Sequence, residues 1–278
     1  MKNIDSQSAE KLVSGINIPP RPTVLQAVLA EQASNNPDLS KISKTISTDV
    51  SLSASILKAV NSPLYGLRSK VNSVQHGVMI LGLKNVVNLV TGLSLRQAIK
   101  GGNKISLDRF WDSAADTAMI SRSLSRELFA GDPDDAYLLG LFHDCGIPLL
   151  MLKFPDYLQF LREANNNPEH DLTVLEEQTF NTNHAVIGYY VAQNWRLPEH
   201  ITEAIQRHHD LLHLSDEDAA IAPLINLLCL AEHISHRARR LAMDYSWVRV
   251  RESVLRYFEL DDNQYEALAT DMESKLSE

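Results

Sequence analysis

Apolar side chains recur along this chain every three to four residues. Val24, Leu25, Val28 and Leu29 fall on one helix face. The same spacing returns at Leu52, Ile56, Leu57 and Val60, and at Val86, Val87, Val90 and Leu93. No stretch alternates in the manner of a strand, and no Asn-Gly or Asp-Gly pair marks a hairpin. Punctuation points the same way. Asp132 precedes Pro133 as an N-cap precedes a first-turn proline, Thr173 and Glu176 have capping-box spacing, and Pro198 opens the segment EHITEAIQRHH. The predicted fold class is all-α. Paired glycines in KGGNKIS (Lys100 to Ser106) separate two helical halves, and ANNNPEHD (Ala164 to Asp171) predicts a loop inside the second.

Composition narrows the picture without naming a function. The 278 residues are 44% hydrophobic and 22% charged, enough for a sizeable core. The longest apolar run, IAPLINLLCLA, is far short of the roughly 20 residues of a membrane span, and the polar N-terminus MKNIDSQSAE is no secretory signal. Cys145 and Cys229 sit apart in apolar surroundings, which predicts reduced thiols in a cytoplasmic protein. The net charge of −9 is weighted toward the C-terminus, where seven acidic residues and one lysine follow from Glu259. This balance disfavours nucleic acid as a partner. The basic run Arg237, Arg239, Arg240 reads as a solvated helix face, and Trp111, Trp195 and Trp247 are too dispersed for a stacking platform.

One stretch breaks the apolar rule. In LLGLFHDCGIPLL, His143 and Asp144 stand where their neighbours predict core, on the last turn of a helix expected to run from Pro133 to a C-cap at Gly146. His184 lies four residues before Gly188, His208 and His209 are adjacent in AIQRHHD, and Glu232 follows another apolar run. Imidazole nitrogens and carboxylate oxygens are the ligand set for a divalent iron, manganese or zinc ion, or for a two-metal site. A hydrogen-bonded relic at a helix end is the alternative for His143 and Asp144. Of His208 and His209, one is expected to face the site, because neighbours on a helix diverge by about 100°. Cys145 and Gly82 are read as packing residues, with Gly82 permitting close helix approach.

The order HD, His-x-x-x-Gly, His-His and an acidic residue in LAEHIS is similar to the HD superfamily of metal-dependent phosphohydrolases. IPPRPTVLQAVL, DVSLSASILKAVNSPLYGL and VNSVQHGVMILGLKNVVNL more specifically resemble the HDOD family of bacterial signalling, over about Ile18 to His236. That resemblance implies a helical N-terminal subdomain (18–105) packed on an HD-type helical bundle (106–236), preceded by a segment 1–17 and followed by a helical, acidic extension 237–278. It also implies a degenerate metal site of His143, Asp144, His184, His208, His209 and Glu232. Ser113 stands where such enzymes place a first-helix histidine, with Asp112 and Asp116 as the nearby substitutes. The expected function is non-catalytic signalling through partner proteins, or through a nucleotide ligand. The alternative is a metal-dependent phosphohydrolase acting on a nucleotide or cyclic dinucleotide.

Overall fold

The computed structural model of the chain describes residues 15–61, 67, 69–100, 106–164, 170–239 and 244–277. Ser62 to Tyr65 of the VNSPLYGL segment, the glycines of KGGNKIS, most of ANNNPEHD and Arg240 lie outside the described residues. Among the described residues every regular element is helical and none is a strand. The chain divides into two compact units, with breaks after Pro19, Lys100 and Glu266.

The unit of residues 20–100 contains α1 (Thr23–Gln32), α2 (Leu39–Ser47), α3 (Val50–Val60) and α4 (Val74–Ala98). Short polar side chains start three of them by accepting orphan backbone amides: Asp38 from Ser40, Asp49 from Leu52, and Ser73 from His76. The expected apolar stripes are the core, with Leu25, Val28, Ile56, Val86 and Val90 fully buried. Asn61 ends α3 and spends its amide on Val71, giving one hydrogen bond to its carbonyl and taking one from its N–H, each 2.8 Å. Gly82 differs from expectation. A Cβ there would meet nothing within 4 Å, so helix packing is not its reason. Its φ of 74° and ψ of 169° break α4 in a region that only glycine adopts readily.

The unit that runs to Glu266 contains α5 (Asp108–Glu127), α6 (Pro133–Phe142), α7 (Gly146–Lys153), α8 (Tyr157–Ala164), α9 (Leu172–Phe180), α10 (His184–Asn194), α11 (Glu199–Arg207), α12 (Ala222–Ala238) and α13 (Tyr245–Tyr257). It also takes the first turn of α14 (Asp262–Ser277). Asp132 caps α6 as predicted, accepting from the amides of Asp134 and Asp135. The helix ends earlier than predicted, at Phe142, and Gly146 opens α7 instead of closing α6. The glycine itself has a steric reason. A Cβ on Gly146 would sit 2.1 Å from the His184 carbonyl oxygen, so this glycine permits contact between two backbones. Gly140 does the same against α5, where a Cβ would lie 2.7 Å from the Ala118 Cα.

By length and composition Val74–Ala98 and Pro133–Lys153 could each cross a membrane, but their most apolar windows are 56% and 78% buried within the protein. They are core helices. The described members of the basic run are also engaged: Arg237 donates to Tyr265 and Glu266, and Arg239 to Asp116. Trp111, Trp195 and Trp247 are separate core residues.

Candidate metal centre

Four chain segments deliver six side chains to one place. His143 is the C-cap of α6, and Asp144 lies in the turn before α7. His184 is the first residue of α10, fixed by Asn183, whose side chain accepts from the Val186 amide. His208 caps α11 at its C-terminal end, His209 follows in a turn, and Glu232 lies midway along α12. Because α11 stops at Arg207, the 100° divergence of helical neighbours does not apply to the histidine pair. Both rings reach the site, contrary to the expectation of one: the His184 Nε2 lies 3.4 Å from His208 Nε2 and 2.9 Å from His209 Nε2.

The other ring nitrogens settle where the protons are. His143 Nδ1 lies 2.9 Å from the Gly140 carbonyl and His208 Nδ1 2.7 Å from that of Ile205. A carbonyl can only accept, so both Nδ1 atoms carry hydrogen and, in the neutral rings, both Nε2 atoms are bare lone pairs. His184 Nδ1 donates to Glu176 Oε2 at 2.7 Å, which bares its Nε2 too. In the neutral rings, lone pairs of His184 and His208 therefore face each other beside the Asp144 carboxylate. Converging acceptors in a buried place call for a cation.

The spacing fits one. Ligand atoms about 2.1 Å from an ion and tetrahedrally disposed lie about 3.4 Å apart. Here Asp144 Oδ1 is 3.3 Å from His184 Nε2 and 3.6 Å from His208 Nε2. Asp144, His184, His208 and His209 each bring an atom within 4.8 Å of all the others. A second group consists of His143, Asp144 and Glu232, with His143 Nε2 3.3 Å from Asp144 Oδ2 and 3.2 Å from Glu232 Oε1. Asp144 is common to both groups, one oxygen turned to each. Its side chain is 27% exposed and that of Glu232 37%, so the cluster has a solvent-facing side.

Charge follows geometry. Burial opposes protonation of His143, but Asp144 and Glu232 outweigh it and hold the ring well above the usual histidine range. Burial likewise disfavours ionised Asp144, yet His143 and the other rings keep it well below the ordinary carboxylate value. His209 is pushed well down, by burial first and then by His208 and His184. The thiol of Cys145 is raised by burial and by Asp144, which leaves it a packing group.

Neither substitute for the missing first-helix histidine joins these groups. Asp116 is held by Arg239 at 2.6 Å, Asp112 is exposed and Ser113 half-buried. Glu176 was misread. Thr173 forms no capping box with it, because α9 begins at Leu172 and Asp171 makes no side-chain cap. Glu176 is instead fully buried, taking bonds from the His184 backbone amide at 3.0 Å, the His184 ring and the Tyr157 hydroxyl. The available signal was its i,i+4 spacing from Leu172 and Phe180, a carboxylate on an apolar stripe.

Comparison with known proteins agrees with this architecture. The profile of the HDOD domain matches residues 18–211. An uncharacterized protein of Treponema pallidum (strain Nichols) is 29% identical over 277 residues, 95% of this chain and 51% of that protein. The chain thus spans about half the length of that curated relative. Among solved structures, an HDOD domain protein with unknown function from Geobacter sulfurreducens superposes with a TM-score of 0.74 at 20% identity, covering 97% of this chain and 93% of that one. A protein from Shewanella amazonensis SB2B named "Putative phosphohydrolase" gives 0.71 at 21% identity, covering 97% of both chains. At these identities the structural matches establish the helical fold.

Proposed function

This chain belongs to the HDOD domain family, and from that premise we propose a cytoplasmic bacterial signalling protein that works by binding, built around one retained divalent-metal position. Asp144, His184, His208 and His209 would hold an iron, manganese or zinc ion, and partner proteins or a nucleotide would read the state of the unit around it. The observation that carries this reading is the unequal filling of the two ligand groups. One offers three imidazoles and a carboxylate, a full set for one ion. The other has His143 and Glu232 of its own and otherwise shares Asp144, with Ser113 standing where a further imidazole is expected. Hydrolysis by a two-metal clamp needs both positions occupied.

A second reading, metal-dependent hydrolysis of a nucleotide or cyclic dinucleotide, draws on the placement of Asp144. Its two oxygens address the two groups separately, as a bridging carboxylate does. Bound metal would supply Lewis-acid polarisation of a phosphoryl group and activation of water.

Elemental analysis of untagged protein, paired with a hydrolysis screen over nucleotides and cyclic dinucleotides, separates these readings. We expect about one equivalent of metal, lost in Asp144→Ala, and no chelator-sensitive turnover. Two equivalents with turnover would transfer the case to the hydrolase. Metal far below one equivalent would dismiss the metal centre itself.

A further inference from the structure

We infer that Glu176, steadied by Tyr157, is a positioning residue that sets how strongly His184 binds metal, an inference that rests on the metal reading above. Three histidines of the cluster have their Nδ1 atoms anchored, and the anchors are not alike. Those of His143 and His208 are neutral backbone carbonyls three residues earlier in the same helical turn. The anchor of His184 is a carboxylate from a different helix, α9, eight residues away. Glu176 Oε2 takes both the ring Nδ1–H and the backbone N–H of His184, so one oxygen fixes the ring and the chain that carries it. Oε1 takes the Tyr157 hydroxyl from α8.

A carboxylate with no exposure, no lysine or arginine beside it in these contacts and three donated hydrogen bonds is costly to bury. A mere staple between α9 and α10 would be met by an amide or a hydroxyl at lower cost. A carboxylate adds something an amide cannot: it draws the Nδ1 proton, loads electron density onto Nε2 and strengthens that nitrogen as a donor. His184 Nε2 is the atom that needs this, since it lies within 3.4 Å of His208, His209 and Asp144 alike. Tyr157 supports the effect by occupying the second oxygen, which keeps the carboxylate from rotating away.

The test is a cobalt(II) titration of the full, metal-stripped chain, read by its visible absorption and by dissociation constant. Glu176→Gln keeps shape and accepting oxygen but removes the charge. We expect it to weaken cobalt binding 10–100-fold and shift the absorption bands. Wild-type affinity and an unchanged spectrum in folded Glu176→Gln would overturn the inference while leaving the metal reading intact. Failure of the wild type to bind cobalt would overturn both. Should Glu176→Gln not fold, imidazole nitrogen–proton NMR of the wild type decides. His184 is expected as the Nδ1–H tautomer, its proton downfield of those of His143 and His208. The Nε2–H tautomer would refute the assignment.

Discussion

Gly146 lacks a side chain because the His184 backbone occupies the place where one would go. The residue before it on the site, Asp144, and the residue across from it, His184, are 3.3 Å apart at their functional atoms, so this contact sets the distance across the cluster. Gly146→Ala forces α7 and α10 apart, since backbone atoms rather than a flexible side-chain end stand in the way. We expect a loss of about 3 kcal/mol in denaturant unfolding and a loss of bound metal. The same change at an open helical position would stabilise by about 0.5–1 kcal/mol, so a near-neutral Gly146→Ala would mean that the two backbones are less closely held. The sequence made His143, Asp144 and the later histidines legible, because an ionisable residue among leucines announces itself. Gly146 and Glu176 were visible but misassigned, as a helix cap and a capping-box partner. Their roles depend on what lies opposite in space, and short-range spacing carries no record of that.

Helices were the most readable feature, because periodicity and caps are local. Their ends were less so, as α6 shows, and the entry to α13 illustrates what sets an end. Asp244 caps that helix by accepting the Trp247 amide at 3.0 Å, and its other oxygen lies 2.9 Å from His233 Nδ1. The His233 ring stacks on Trp247 at 4.5 Å and 11°, so one carboxylate joins α12 to α13. Burial pushes its pKa up, but the His233 and Trp247 hydrogen bonds outweigh burial and hold it below the ordinary 3.8. A carboxyl depressed by folding stabilises at pH values above its unfolded value. That stabilisation is lost as pH falls through 3.8 toward the folded value. Asp244→Asn retains a good cap and removes the charge, so it isolates this effect. Urea unfolding should show a deficit of about 1 kcal/mol at neutral pH that closes below about pH 4. A deficit independent of pH would assign the role to shape alone.

At the scale of the whole molecule, the ligand groups come from His143, Asp144, His184, His208, His209 and Glu232, all in one unit, while the described residues of 20–100 contribute none. An ion held by Asp144 and the three histidines would tie the turn after α6 to α10 and α11. Ligand present at a hundred times its dissociation constant stabilises the state that binds it by about 2.7 kcal/mol, and only where unfolding breaks the site. Hydrogen exchange on the metal-stripped chain, with and without manganese or zinc, reads that distribution directly. We expect slower exchange near Gly140 to Gly146, at the start of α10 and at the end of α11, with α1 to α4 unchanged. The long-range ligand set makes this sharper than a melting curve, since each segment must slow together if one ion holds them. Slowing confined to His143 and Glu232 would place the ion in the poorer group and reverse the assignment. Slowing that extended through residues 20–100 would mean that the two units open as one, so that a signal received at the metal centre has a mechanical route to the rest of the chain.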